Sequence, residues 1–128
     1  MSAKSNYLEN KILDYILRDT ADWAPSAVYL ALHTANPDED GSGTEVSGNG
    51  YSRQAVTFAA ASSGSSSSNS VEEFTASGGA FGTVTHFGIW DASSSGNLLY
   101  YGALTASKTI ADGDTLRFAS GAITITEA

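Results

Sequence analysis

From Gly82 to Leu104 the chain reads GTVTHFGIWDASSSGNLLYYGAL, and no other stretch constrains the fold as strongly. Two β-rich arms, Thr83 to Asp91 and Leu98 to Leu104, flank a Ser-Ser-Ser-Gly-Asn connection, which is the pattern of a β-hairpin. The arms hold Phe87, Ile89, Trp90, Leu98, Leu99, Tyr100 and Tyr101, the densest apolar and aromatic cluster in the sequence. A core must therefore form around them.

The remaining segments supply strands and turns to surround that hairpin. Val28 to Thr34 alternates Val28, Leu30 and Leu32 against Tyr29, Ala31 and His33, the period of a strand with one strongly apolar face. Tyr51 to Ala60 resumes β character with Val56 and Phe58 on one face. Val71 to Thr75 is a short strand in which the neighbours Glu72 and Glu73 point to opposite faces. Gly78 and Gly79 then turn the chain into the hairpin. After it, Thr105 to Thr109 is short and polar, and Asp112-Gly113-Asp114 is a turn signal. Leu116 and Phe118 alternate with Thr115 and Arg117, and Ile123 and Ile125 share one face of a closing strand from Ala122 to Thr126.

Two segments are predicted as loops. Ala35 to Gly50, ANPDEDGSGTEVSGNG, is dense in turn formers, and a loop this long in a small domain commonly carries contacts. Ser62 to Ser68, SSGSSSS, has no apolar residue to bury and is predicted to be an exposed connection.

A helix is predicted from about Tyr7 to Arg18. Asn6 and Glu9 stand at capping-box spacing, and Leu8, Ile12, Tyr15 and Ile16 recur on one face. Leu13 and Leu17 widen that face. A helix this short is marginal in water, so docking against a sheet or a neighbouring subunit is expected. Pro25 closes the segment, with Trp23 expected to anchor the turn.

These elements predict a mainly β fold: an antiparallel β-sandwich of about seven strands with one N-terminal α-helix. No helical pattern separates the strands, so parallel crossovers lack material. At 128 residues the chain fits one domain, with residues 1–24 as a helical segment and 25–128 as the sandwich.

Charge narrows the classes of partner. Fourteen acidic against six basic residues give a net charge of −8, which repels phosphate backbones and anionic lipid, so neither nucleic acid nor membrane is an expected partner. The polar start from Met1 to Asn10 predicts no secretory signal, and no apolar run reaches membrane-spanning length. The expectation is a soluble chain made in a cytoplasm. Cysteine is absent, which excludes disulfides and thiol chemistry.

No constellation of catalytic residues emerges, and no cofactor is expected. Asp38-Glu39-Asp40-Gly41 with Glu45 could hold a hard cation, but it lacks the alternating spacing of a calcium loop and reads better as solvated. His33 and His86 are too few for a histidine metal site and are expected to lie on sheet faces. No G-x-S-x-G elbow is present, and the glycine pairs Gly41/Gly43 and Gly48/Gly50 precede no helix, so they cradle no phosphate.

Four stretches, YLENKILDYILR, VYLALHTANPDEDGSGTEVSGNGYSRQAVTFAAA, GTVTHFGIWDASSSGNLLYYGALTASKTI and GDTLRFASGAITIT, together resemble a family of small virion proteins of tailed bacteriophages. YLALHTANP, GTEVSGNGYSRQAVTF, GTVTHFGIWD and NLLYYGALT are the most specific of them. Such proteins are often labelled tail fibre proteins, although no heptad or collagen-like repeat of a fibre shaft is present. The resemblance implies a non-enzymatic structural role in the virion, following synthesis in the host bacterial cytoplasm.

On this basis the first expectation is a capsid decoration or cement protein that bridges major capsid subunits, in a homo-oligomer, with a trimer favoured. The alternative is a tail-fibre or tail-tip adhesin contacting the host surface. A lectin-like or carbohydrate-active sandwich is a third possibility. Interface contacts are expected from Leu8, Ile12, Tyr15 and Ile16 on the helix, and from Asp38, Asp40, Glu45, Tyr51 and Arg53 in and after the long loop.

Overall fold

A computed structural model describes residues 2–18 and 24–127. Among these residues the order is β1 (Ser2–Lys4), α1 (Asn6–Arg18), β2 (Val28–His33), β3 (Gln54–Val56), β4 (Ser65–Ser67), β5 (Glu72–Thr75), β6 (Gly82–Trp90), β7 (Leu98–Ile110), β8 (Thr115–Phe118) and β9 (Thr124–Thr126). The role expected of Trp23 falls outside the described residues.

The fold is the mainly β, antiparallel, sandwich-like architecture with one helix near the N-terminus. Its larger layer is a five-stranded sheet ordered β1-β7-β6-β2-β3, and the facing layer consists of the pairs β4-β9 and β5-β8. Alternation in β2 and β6 explains the core. Leu30 and Leu32 lie opposite Ile89 and Phe87 in the antiparallel register, and all four side chains point to the same buried side. Phe74, Leu116, Ile123 and Ile125 meet them from the second layer. Phe74 stacks on Tyr51 at 6.0 Å and packs edge to face with Phe118 at 6.1 Å, so ring packing reinforces the hydrogen-bonded pair β5-β8.

The central hairpin is longer than its sequence pattern. β7 runs past Leu104 to Ile110, so the polar Thr105 to Thr109 segment is strand. Its pairing with β6 passes from His86↔Ala103 to Val84↔Lys108, leaving Leu104 to Ser107 opposite Thr85 alone. This large bulge admits a polar segment to the strand without burying it. At the tip, Asp91 accepts hydrogen bonds from Asn97 N at 2.7 Å and from Asn97 Nδ2 at 3.0 Å, closing the turn.

The serine tract departs from expectation. Ser65, Ser66 and Ser67 pair with Thr126, Ile125 and Thr124, and Ser68 is buried. A ladder needs only backbone groups, and the hydroxyls find partners of their own: Ser66 Oγ donates to Ala59 O at 2.7 Å, and Ser67 Oγ meets Thr124 Oγ1 at 2.9 Å. Composition without apolar residues therefore did not preclude a strand at the sheet edge.

The N-terminus departs as well. Ser2 to Lys4 pairs with Gly102 to Tyr100 as an edge strand. Ser5, one residue before Asn6, caps α1: its hydroxyl accepts from Leu8 N at 3.2 Å and donates to the Leu98 carbonyl. Ser5 N also donates to Leu99 O at 2.8 Å, so cap and hairpin form a single joint. Past Gln54–Val56, the expected strand from Tyr51 to Ala60 keeps only an isolated bridge at Phe58. Glu72 is buried and Glu73 exposed, the opposite facing that strand geometry requires.

Candidate functional site

The outer face of the five-stranded sheet, away from the sandwich core, carries the most elaborate polar cluster in the molecule. Ala31 and Gly88 are register partners on that face and form its floor. A Cβ on Gly88 would stand 2.8 Å from Trp90 Nε1 and 2.9 Å from His33 Nε2, so the missing side chain is what lets the two rings lie over the sheet. The long loop then joins the sheet. Glu45 bridges His33, and Val46 N donates to Leu32 O at 2.9 Å, which puts the Glu45 carboxylate on the same face.

Arg53 meets that carboxylate in a fork. Nε donates to Glu45 Oε2 and Nη2 to Glu45 Oε1, each at 2.9 Å, while Nη1 donates to Ala92 O at 2.9 Å and Ser95 O at 2.8 Å. The Arg53 side chain is only 6% exposed, and its guanidinium carbon lies 4.1 Å from the centroid of the Trp90 ring. Tyr51 Oη donates to Glu45 Oε2 at 2.6 Å and accepts from Leu32 N at 3.0 Å. One arginine therefore ties the long loop to the tip of the central hairpin.

His33 is enclosed and its tautomer follows from its partners. The Gly43 carbonyl can only accept, so Nδ1, 3.1 Å away, carries the proton, and Nε2 is left to accept from Trp90 Nε1 at a long 3.4 Å. Burial lowers the pKa of His33, and the nearby Glu45 carboxylate offsets this only in part. Burial alone would raise Glu45, but hydrogen bonds from Arg53 and Tyr51 more than compensate and hold its carboxyl below the usual range. Tyr51 is raised by burial and by the adjoining carboxylate, so it stays a neutral donor. Every polar group in the cluster is thus held in the state its neighbours require, and the chemistry available is rigidification of a loop.

Among the residues expected at an interface, Glu45, Tyr51 and Arg53 come together here, their polar groups committed within the chain. Asp38 and Asp40 do not join them. They sit on the exposed tip of the loop, where Asn36 Oδ1 accepts from Asp38 N at 2.9 Å and Asp40 Oδ1 from Ser42 N at 3.0 Å. Hydrogen bonding from Ser42 lowers the pKa of Asp40. On α1, Leu8 is buried and Ile12 partly so, while Tyr15 and Ile16 are exposed together with Leu13 and Leu17. The helix is anchored by its first turn.

His33, Trp90, Gly43 and Gly88 were not legible as one cluster from sequence. Gly88 inside a strand rich in large residues was the available signal, because a strand glycine marks a close approach. The cross-strand pairing of His33 with His86 likewise depends on register, which no local pattern specifies. Among the described residues no three His, Asp or Glu side chains are grouped so as to hold a metal ion, and no buried side-chain nitrogen or oxygen lacks a partner. No helix is long and apolar enough to cross a membrane.

The face thus combines an internally satisfied polar cluster with an acidic loop braced against a sheet, and the helix beside it leaves Leu13, Ile16 and Leu17 exposed. The chain matches the family model described as podophage GP4 fiber I protein gp80 over residues 3–126, and it belongs to that family. It is accordingly a fibre-related structural protein of a bacteriophage virion. No curated protein sequence matches it. The family is one of fibre proteins, which favours the tail-fibre expectation over capsid decoration.

Proposed function

We propose that the protein is a non-enzymatic building block of the phage fibre apparatus, docked through α1 and presenting the Ala35 to Gly50 loop for contact with the host surface. The observation that carries this reading is the helix. Leu13, Ile16 and Leu17 are 54%, 69% and 74% exposed, an apolar surface that a free domain has no reason to keep and that a virion neighbour would cover. The loop supplies the second half of the role. Glu45 and Arg53 fix its base, so its acidic tip meets a partner with little ordering cost.

Immunogold labelling of intact virions tests the location. Label on the fibres is the expected result; label spread over the capsid shell would overturn the reading and return capsid decoration to first place. Host contact is tested separately, by asking whether the purified protein competes with virions for adsorption to host cells. Competition that disappears in an Asp38→Lys, Asp40→Lys variant is expected, and unaltered competition by that variant would remove the loop from the contact.

A further inference from the structure

Beyond Gly102, where its pairing with β1 stops, the outer edge of β7 has no neighbouring strand among the described residues. No backbone hydrogen bond outside the ladder with β6 reaches Leu104 to Thr109, and Thr105 to Thr109 are exposed. The peptide N–H and C=O groups of that edge therefore face solvent, in the arrangement that receives another strand. Beside the edge the sandwich is open. A groove of about 460 Å³ lies between the layers, with Phe87 and Leu104 of the large sheet on one wall and Leu116, Phe118 and Ile123 on the other. An apolar cavity of roughly 150 Å³ accepts a benzene ring, so the groove has room for two or three side chains.

One unpaired charge stands at this groove. Lys108 is the register partner of the core residue Val84, so its side chain leaves β7 on the inner side of the sheet and lines the groove. Five of the six basic residues have partners within the chain: Lys4 on Glu127, Lys11 over the Tyr7 ring, Arg18 on Asp14, Arg53 on Glu45 and Arg117 beside Glu73 at 3.7 Å. Lys108 alone has none among the described residues. An inward lysine on an open edge penalises a purely apolar strand, which would bury the charge, and favours one that brings a carboxylate. We infer that this edge takes an extended segment of a neighbouring virion protein as an added strand, with apolar side chains in the groove and an acidic one against Lys108. Backbone pairing supplies the affinity, and the groove with its lysine supplies the choice of sequence. Two copies of this chain pairing edge to edge would bring no carboxylate, because Ala103 to Ile110 contains no acidic residue. The inference does not depend on the docking role given to α1.

Amide hydrogen exchange of the full-length protein, with and without added peptide, provides the test. The probe is a pool of peptides of about nine residues in which threonine alternates with Val, Leu, Ile or Phe and a glutamate takes the central position of the apolar face. A second pool carries lysine at that position. Slowed exchange at residues 104–109 with the glutamate pool is expected, and the lysine pool should bind roughly tenfold or more weakly. Lys108→Glu, a change at an exposed residue, should reverse the preference between the pools. Methylating the backbone nitrogens of the peptides should abolish the protection, which a contact made by side chains alone would survive. No protection of residues 104–109 at millimolar peptide, equal binding of the two pools, or a preference unaltered by Lys108→Glu would each overturn the inference. Protection that grows with protein concentration in the absence of peptide would assign the edge to a second copy and overturn it as well. None of these results bears on whether virion labelling falls on the fibres, so the proposed function stands or falls separately.

Discussion

Glu45 and Arg53 are eight residues apart in sequence and form a bidentate ion pair, two parallel hydrogen bonds of 2.9 Å, beneath the ring of Trp90. The pair sits where the long loop, the start of β3 and the hairpin tip converge. Arg53→Met should therefore strand the Glu45 carboxylate together with the Ala92 and Ser95 carbonyls, at a cost of about 3 kcal/mol or more. Arg53→Lys should recover only part of the loss, because an ammonium cannot reproduce the fork. Urea midpoints of the three proteins check this, and equal midpoints for wild type and Arg53→Lys would contradict it.

Acid should weaken the fold through His33. Its folded pKa lies below the unfolded value of 6.5, so between those two values the unfolded chain binds more protons. Stability is fully present above pH 6.5, falls as pH drops through that window and levels off below the folded value. Glu45 adds a second loss at lower pH: its contribution is complete above 4.5 and disappears as pH falls through its depressed folded pKa. Urea melts of wild type and His33→Gln between about pH 7.5 and about pH 5 should show a shallower decline in the variant.

Two glycines of the same loop should respond differently to alanine. At Gly43 a Cβ would lie 2.0 Å from Asn36 O and 2.6 Å from Pro37 Cα, backbone atoms that cannot step aside. At Gly48, with φ of +73°, no atom lies within 4 Å. Gly48→Ala should cost only the left-handed conformation, about 1 kcal/mol, while Gly43→Ala should exceed about 2 kcal/mol and displace the loop. Comparison of thermal midpoints decides, and a Gly48→Ala loss as large as that of Gly43→Ala would count against the packing argument.

Ser5 should matter more than its size suggests. Removing its hydroxyl deprives Leu8 N of an acceptor and the buried Leu98 carbonyl of a donor. Ser5→Ala should cost about 1 to 2 kcal/mol and fray the first turn of α1, the turn that anchors the helix. Hydrogen exchange should show earlier loss of protection in residues 8–12 than in the sheet, with Ser5→Thr retaining protection.

The sequence carried its own account of the strands whose side chains alternate. Leu30 and Leu32, Phe87 and Ile89, and Ile123 and Ile125 each mark a buried face two residues apart, so local periodicity and burial coincide. The serine strand and the polar second half of β7 left no such mark. Their place in a sheet comes from partner strands supplied elsewhere in the chain.

The candidate site divides the same way. Spacing alone determined that α1 has a broad apolar face requiring a sheet or a neighbouring subunit to dock against, and composition determined the acidic loop that follows β2. Only the tertiary structure decided that Glu45, Tyr51 and Arg53 turn inward: their partners Leu32, Ala92 and Ser95 are 19 to 42 residues distant from the groups that bind them. The physical reason is that burying an ion pair depends on what the fold places around it, namely Trp90 above, Gly88 making room and two carbonyls at the hairpin tip. Amphipathic periodicity is written in consecutive residues, whereas desolvated polar networks are written in register.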